Sequence, residues 1–218
     1  MTEANPPAPT RWAALAGRAS GADYAARFAR LSASGQNVHG EADFCAALVP
    51  PSALVLDAGC GTGRVAIRLA ELGYQTVGVD VDDSMLSEAR RARPDLAWLT
   101  ADLAELPGFG ALAQLAGPRA SGTDGFDLVV AAGNVIPLLA PGTLAATVQR
   151  LAAVLRPGGL LVAGFGLDRA HLPVGCPVTP AAEYLAACAR AGLTELARHG
   201  SWDGPGEPDG YLVSVHRA

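Results

Sequence analysis

The segment that most constrains this chain is residues 54–63, which read LVLDAGCGTG. Its first half is a short run of Val and Leu, typical of a strand buried on both faces of a parallel sheet. The second half carries three alternate glycines, and residues 64–72 follow with the apolar spacing of a helix. Glycines in such a turn allow a ligand to approach the backbone, where free N–H groups and the helix dipole attract it. Strand, glycine turn and helix together predict a nucleotide-like ligand.

The spacing within this turn separates two ligand classes. The dinucleotide fingerprint G-x-G-x-x-G/A requires a small third residue, and this chain has Arg64 at that position. An acidic residue, Asp57, stands two positions before the first glycine. A buried carboxylate suits a ligand with an ammonium or sulfonium group better than it suits a pyrophosphate. The residues therefore favour S-adenosylmethionine over NAD, and an NAD-dependent oxidoreductase stays as the alternative.

The motif D-A-G-C-G-T-G at residues 57–63 closely resembles motif I of the class I S-adenosylmethionine-dependent methyltransferases, and the similarity extends over residues 53–165. The segments GQNVHGEA and SWDG...YLVSVHRA resemble a bacterial, actinobacterial-type subgroup of small methyltransferases. The resemblance implies S-adenosylmethionine as the cofactor and in-line methyl transfer to a small-molecule acceptor, with O- or N-methylation favoured. The Asn/Asp-Pro-Pro-Tyr/Phe signature of the family's nucleic-acid and amide N-methylases is absent after the fourth strand. A non-catalytic S-adenosylmethionine-binding regulatory protein is the alternative outside the enzymes.

Composition limits the partners of the chain. Its 218 residues, half of them hydrophobic and 17% charged, fit one globular domain with a small attached cap. No apolar run approaches the roughly 18 residues of a membrane span, and no signal pattern opens the chain, so we expect a cytoplasmic protein without membrane partners. The basic residues are scattered arginines at a net charge of −5, which argues against a nucleic-acid partner. The four cysteines lack C-x-x-C spacing, so no metal site is predicted. A monomer or a homodimer is expected.

Alternating strand and helix patterns run through most of the chain. The predicted strands after the first are 75–80, 96–100, 126–131, 159–165, 195–202 and 210–216, and the predicted helices between them are 82–93, 108–116, 142–155 and 180–191. The last two strands are joined by a hairpin-like turn, which forces them to be antiparallel. This pattern predicts a Rossmann-like, doubly wound α/β fold: a mostly parallel seven-stranded sheet with an antiparallel C-terminal hairpin.

The predicted organisation has three parts. Residues 1–10 are rich in Pro and Ala and are expected to be a disordered tail. Residues 11–50 carry amphipathic helices, which by the resemblance form an N-terminal helical lid over the cofactor. Residues 51–218 form the methyltransferase domain, in which ligands bind at the carboxyl ends of the strands.

Acidic residues follow the second and third strands. Asp80 ends the second strand 21 residues after Gly59, where a carboxylate accepts both ribose hydroxyls; a helix cap is its alternative role. Asp102 resembles the family acid that accepts the adenine amino group, with a free loop acid as the alternative. The predicted cofactor-binding residues are Asp57, Ala58, Gly59, Cys60, Gly61, Gly63, Asp80, Val81, Met85, Ala101, Asp102, Leu103, Ala132 and Gly133.

The candidates for catalysis and acceptor binding rest on position alone. A sulfonium donor is already activated, so positioning carries much of the rate, and only an acceptor that is not acidic also needs a base. His39 and His171 lie in segments able to reach the cleft, whereas His199 and His216 fall on the terminal hairpin and are expected to be structural or exposed. Asn134 either binds a substrate hydroxyl or the cofactor, or caps a helix. The predicted catalytic residues are His39, Asn134 and His171; the predicted substrate contacts are Tyr24 and Asp168, with Glu41 as a further lining candidate.

Overall fold

The computed structural model describes residues 9–16, 21–117, 123–204 and 206–218 and contains one seven-stranded sheet of order β3-β2-β1-β4-β5-β7-β6. Strands β1 to β5 pair in parallel, and β7 runs antiparallel between β5 and β6. The predicted fold class is therefore confirmed. The strands are β1 (Leu54–Ala58), β2 (Gln75–Asp80), β3 (Ala97–Thr100), β4 (Phe126–Ala131), β5 (Leu155–Gly166), β6 (Thr194–His199) and β7 (Tyr211–Arg217).

Helices cover both faces of this sheet. The helices of the described ranges are α1 (Arg11–Ala16), α2 (Gly21–Ala33), α3 (Gly40–Ala46), α4 (Arg64–Glu71), α5 (Asp83–Ala92), α6 (Phe109–Ala116), α7 (Val135–Leu138), α8 (Leu144–Ala153) and α9 (Ala181–Arg190), with a 3-10 turn at Leu103–Glu105. None of them combines the length and the apolar character that a bilayer crossing needs. The longest, α2, has 13 residues, whereas a span takes about 20.

Two apolar clusters hold the layers together, one on each face of the sheet. Along β1, Leu56 belongs to the cluster under α6, α8 and α9, whereas Val55 belongs to the cluster under α3 and α4. Successive strand side chains point to opposite faces, so a strand covered on both sides is apolar along most of its length, and Asp57 is the exception in β1. All five residues of β1 are accordingly buried. This double burial holds the glycine turn that follows β1 at the carboxyl edge of the sheet.

The structure corrects the predicted start of the fifth strand. Phe126 already pairs with Leu155, and after a register shift the pairing resumes between Leu128 and Leu160. The segment at 156–159, predicted to be a turn before the strand, is therefore a bulge within β5, because β4 hydrogen-bonds on both sides of it. Neither α7 nor the 3-10 turn was predicted.

Parts of the predicted termini and linkers lie outside the described residues. They are residues 1–8 of the predicted tail, residues 17–20 between α1 and α2, and residues 118–122 of the linker before β4. Thr10, at the end of the predicted tail, is only 7% exposed, and its hydroxyl accepts a hydrogen bond from the Ala13 N–H. The described end of the tail is thus packed against the fold.

Candidate functional site

Two adjoining cavities lie at the carboxyl ends of the central strands. The larger, here called the main cleft, contains about 640 Å³ of space, part of it open to solvent, within the range of about 300–1,000 Å³ common for small-molecule sites. The smaller one, here called the polar cavity, shares four lining residues with it. The main cleft is lined by Thr10, Trp12, Tyr24, Gly59, Gly61, Asp80, Val81, Met85, Ala101, Asp102, Leu103, Gly133, Val135, Leu138 and Leu139. The polar cavity is lined by Tyr24, Asp57, Gly59, Cys60, Gly61, Thr62, Arg64, Val65, Ala132 and Gly133.

The glycine turn presents bare backbone to both cavities. Gly59 has a φ of 78°, and a Cβ there would lie 2.5 Å from Cγ2 of Val135. Gly61 has a φ of 54°, and no atom lies within 4 Å of the place that its Cβ would take. A side chain at Gly59 would therefore clash with α7, and one at Gly61 would project into the space left for a ligand.

Asp80 is buried beside this turn and is held by backbone amides. Its Oδ2 accepts the Gly61 N–H at 2.8 Å and its Oδ1 accepts the Asp82 N–H at 2.8 Å. Burial raises the pKa of Asp80, and these two hydrogen bonds oppose the rise. A carboxylate accepts about four hydrogen bonds in all, so both oxygens keep acceptor capacity. The side chain that caps α5 is that of Asp82, which accepts the Ser84 N–H at 2.9 Å. The alternative role of Asp80 as a helix cap is therefore wrong.

The remaining wall of the main cleft is largely apolar. Val81, the residue after β2, is 39% exposed, and Met85 of α5 is 3% exposed. Asp102 stands beside them, and its Oδ1 accepts the Ala104 N–H at 2.8 Å as the cap of the 3-10 turn. Asp102 is thus a fixed acid rather than a free loop residue.

The N-terminal segment crosses the main cleft from α5 to α7. The Trp12 indole Nε1 donates to Asp82 Oδ2 at 2.8 Å, and the Arg11 guanidinium donates to the Pro137 carbonyl at 3.2 Å. Partial burial acts to raise the pKa of Asp82, but the Trp12 and Ser84 hydrogen bonds hold it below its ordinary value. Helix α1 is therefore attached on both sides of the cleft, through two side chains that were not among the predicted site residues.

Asp57 is the buried acid of the polar cavity. It is 2% exposed, and its Oδ2 accepts the Ala66 N–H at 2.9 Å. Burial raises its pKa to about 7, against the lowering effects of the Ala66 hydrogen bond and of Arg64; Asp80 and Glu41 add to the rise. Since burial makes the carboxylate unfavourable, a cation bound in this cavity would stabilise it.

Arg64, the first residue of α4, ties the N-terminal helices to the glycine turn. Its Nη1 donates to Glu41 Oε2 at 2.7 Å, its Nη2 contacts Glu41 Oε1 at 2.5 Å, and Nη1 also contacts the Val38 carbonyl. Its guanidinium carbon lies 4.7 Å from the centre of the Phe28 ring. The two charged side chains are only 16% and 17% exposed. Glu41, predicted as a lining candidate, is thus the ion-pair partner of a residue that lines the polar cavity.

We expect Arg64→Lys to destabilise the protein by about 1–2 kcal/mol, because lysine makes neither the bidentate pair with Glu41 nor the stack on Phe28. Denaturant unfolding measures this loss. The matched control is Arg91→Lys, since Arg91 pairs with Glu88 at an exposed site and its loss is expected to stay below about 0.5 kcal/mol. Equal effects of the two substitutions would contradict the role given to the Arg64 pair.

The predicted catalytic residues lie outside both cavity linings as described. Asn134 Oδ1 accepts the Gly166 N–H at 2.7 Å, and its Nδ2 donates to the His171 carbonyl at 2.9 Å. Asn134 makes no side-chain cap, so its alternative role as a helix cap is wrong, and its amide connects the end of β5 to the loop that follows. His171 Nδ1 lies 2.8 Å from Asp168 Oδ1, and this contact lowers the pKa of Asp168. The Nδ1 of His39 is buried without a hydrogen-bond partner in the described structure.

Most of the predicted cofactor residues come together at the two cavities. Ala58 and Gly63 are the exceptions, because Ala58 is fully buried in the core and Gly63, the N-cap of α4, lies against the Trp98 ring. Tyr24, predicted as a substrate contact, lines both cavities, and His216 is a buried residue of β7, 2% exposed. Lining residues that were not predicted are Thr10, Trp12, Thr62, Arg64, Val65, Val135, Leu138 and Leu139. Of these residues, only Thr62 could have been predicted from the sequence, because it lies inside the glycine turn.

The strand order and a cleft at the carboxyl ends of β1, β2 and β4 define a Rossmann-like nucleotide-binding protein. A family model described as a methyltransferase domain matches residues 55–159. The crystal structure of a TehB-like SAM-dependent methyltransferase from Corynebacterium glutamicum superposes with a TM-score of 0.74 and 29% identity, over 90% of this chain and 96% of that one. These similarities confirm the predicted resemblance to the class I S-adenosylmethionine-dependent methyltransferases, and with it S-adenosylmethionine as the cofactor.

Two relatives show how far the sequence similarity extends. The demethylmenaquinone methyltransferase of Beutenbergia cavernae is 29% identical over 77% of this chain and 74% of its own length. The putative methyltransferase YqeM of Bacillus subtilis is 38% identical over 66 residues, which are 29% of this chain and 27% of the relative. The stronger identity is thus confined to about a quarter of YqeM.

Proposed function

We propose that this protein transfers the methyl group of S-adenosylmethionine to a small-molecule acceptor, at O or N, by in-line displacement. The observation that carries the proposal is the pair of adjoining cavities, one largely apolar with Asp80 at its side and one polar with Asp57. The cofactor has the same two parts, an adenosine and a charged amino-acid end. The glycine turn borders both cavities, so one extended ligand can occupy both.

In the proposed complex the adenosine occupies the main cleft. The spare acceptor positions of Asp80 take the ribose hydroxyls, and Asp102 takes the adenine amino group. Val81, Met85 and Leu103 supply apolar contact for the ring, with Ala101 beside them. Val135 and Leu138 of α7 extend this wall, and they add to the cofactor-binding residues predicted from the sequence.

The amino-acid end of the cofactor occupies the polar cavity in this proposal. The Asp57 carboxylate is neutralised by the cofactor ammonium, which removes the unfavourable burial of its charge. The main-chain groups of Gly61, Ala132 and Gly133 leave room for the rest of this end. Binding therefore depends on Asp57 being ionised.

The chain's contribution to the reaction is positioning and the exclusion of water. Asp57 and Asp80 hold the two ends of the cofactor, so the S–CH₃ bond between them is held in one orientation. The segment 11–50, proposed as a lid, supplies Trp12 and Tyr24 over the cavities. For an acceptor that must lose a proton, His171 is the proposed base, because Asp168 engages its Nδ1 and leaves Nε2 to accept the proton; His39 is the second candidate. A cleft partly covered by α1 favours a small acceptor.

Calorimetric titration with S-adenosylmethionine, S-adenosylhomocysteine and NADH tests the cofactor part of this proposal. We expect micromolar binding of the two adenosyl ligands and no heat from NADH, because Arg64 fills the position where a dinucleotide site needs a small residue. The absence of a binding signal with both adenosyl ligands would refute the proposal.

Turnover is then measured with a methyl-labelled cofactor on a panel of hydroxylated and aminated small molecules. Methyl transfer to a member of the panel supports the proposed activity. Tight binding without transfer to any acceptor would favour the non-catalytic regulatory alternative.

A further inference from the structure

The main cleft and the polar cavity meet at four residues. Three of them are glycines, Gly59, Gly61 and Gly133, and the fourth is Tyr24 of α2. Among the described residues, Tyr24 is therefore the only one other than glycine that borders both cavities. A group that joins the contents of the two cavities therefore lies near Tyr24.

Aromatic neighbours hold the Tyr24 ring in place. The Phe28 ring lies 4.9 Å from it between ring centres, and the Trp12 ring lies 6.4 Å away at an interplanar angle of 88°. The Arg64 guanidinium covers Phe28 and is itself paired with Glu41. Burial raises the pKa of Tyr24, while Arg64 and Arg27 act to lower it and Glu41 and Asp80 act to raise it further. The junction thus presents a neutral, oriented phenol.

The position of the cofactor sulfur follows from the proposed function, on which this inference rests. The sulfonium is the atom that links the adenosine to the amino-acid end, so with the two ends in their cavities it lies at the junction. An aromatic face attracts a cation within about 6 Å of its centre. The product, S-adenosylhomocysteine, has the same two ends but a neutral sulfur, so this attraction is lost after transfer.

We propose that the Tyr24 ring contacts the cofactor sulfonium and makes the site prefer the charged methyl donor over its neutral product. Tyr24 is then a specificity-determining residue for the cofactor, rather than the acceptor contact that its position in the sequence suggested. The contact favours release of the product, because it is made only while the sulfur carries its charge.

Calorimetric titration of Tyr24→Leu and Tyr24→Phe with S-adenosylmethionine and S-adenosylhomocysteine tests this proposal. We expect the leucine variant to lose about fivefold more affinity for the donor than for the product, since leucine has no aromatic face. The phenylalanine variant keeps the ring, so its ratio of the two affinities is expected to stay within about twofold of the wild-type ratio. The matched control is Phe44→Leu on α3, because Phe44 packs on His199 and Trp202, lines neither cavity as described, and is expected to leave the ratio of the two affinities unchanged.

The outcomes separate this inference from the proposed function. Equal losses for donor and product in Tyr24→Leu would overturn the sulfonium contact, and so would a phenylalanine variant that behaves like the leucine variant. A wild-type protein that binds neither ligand would instead refute the proposed function. Circular dichroism checks folding, and Tyr24→Met, an unbranched helix former, replaces the leucine variant if that variant does not fold.

Discussion

Replacing Asp80 with alanine is expected to weaken binding of S-adenosylmethionine by about 100-fold or more. The variant loses two proposed hydrogen bonds from the ribose hydroxyls to a carboxylate, each of about 1.5–3 kcal/mol. It also releases the Gly61 N–H, now held by Asp80 Oδ2 at 2.8 Å, so the glycine turn loses an anchor to β2. Calorimetric titration of wild type and variant measures the loss.

The matched control for this prediction is Asp83→Ala. Asp83 lies three residues further along the chain and holds the exposed Arg90 side chain and Thr100, away from the described cavity linings. Its removal is expected to leave cofactor affinity within about twofold. If Asp80→Ala binds the cofactor as tightly as wild type, the ribose role of Asp80 is wrong. Asp80→Asn is measured alongside it, because it preserves the volume should the alanine variant unfold.

Replacing Asp57 with asparagine is expected to stabilise the ligand-free protein at pH 8 by about 2–4 kcal/mol, a rise in Tm of roughly 5–10 °C. Burial raises the pKa of Asp57 from its ordinary 3.8 to about 7, so the folded state binds this proton more tightly than the unfolded state does. The stability that the proton contributes is complete below pH 3.8 and is lost as the pH rises to about 7. Asparagine carries no charge at any pH, so the advantage of the variant grows from pH 4 to pH 7 and is constant above it.

Thermal unfolding from pH 4 to pH 8 measures this difference. The matched control is Asp209→Asn in the exposed β6–β7 hairpin, whose effect is expected to stay below about 0.5 kcal/mol across the range. An Asp57→Asn variant less stable than wild type at pH 8 would show that the Asp57 carboxylate is favourable in the fold.

The same substitution is expected to weaken cofactor binding at pH 8 by about tenfold or more, because an amide does not neutralise the cofactor ammonium. Wild-type affinity is expected to fall as the pH drops below 7, since the cofactor must then displace the Asp57 proton. The variant lacks this dependence below pH 7. Calorimetric titrations at pH 6 and pH 8 compare the two proteins; a wild-type affinity that does not change between these pH values would contradict the ammonium contact.

Buried strands with clear boundaries were predicted most accurately. The bounds predicted for residues 75–80 and 126–131 are those of β2 and β4, because each is an apolar, Val-containing run with a polar or glycine boundary. The start of β5 was missed because Pro157 and two glycines are typical of a turn. Pairing with Phe126 nevertheless continues the strand through them. A local pattern cannot register a partner strand 29 residues away.

The candidate site likewise contains residues that were predictable from the sequence and residues that were not. Asp57, Gly61 and Asp80 were predictable because the ligand-facing backbone and the acids that flank it lie on consecutive strand ends. The place of Trp12 in the site was not predictable, because the packing of α1 brings its indole to Asp82, which is 70 residues away in the sequence. For Asn134 the residue type allowed several roles, and only the neighbouring loop shows that its amide is bonded to Gly166 and His171.

The sequence by itself determined the class of fold, the place of the glycine turn, the preference for a cationic cofactor and the identity of the acids that line the two cavities. These follow from patterns within a few residues of one another, where periodicity, glycine and charge act directly on the local backbone. Only the tertiary structure decided that Arg64 is buried against Glu41, that Tyr24 stands where two cavities meet, and that Asp57 is uncharged over much of the acid range. Those properties depend on burial and on contacts between distant segments, which exist only once the helices have packed on the sheet.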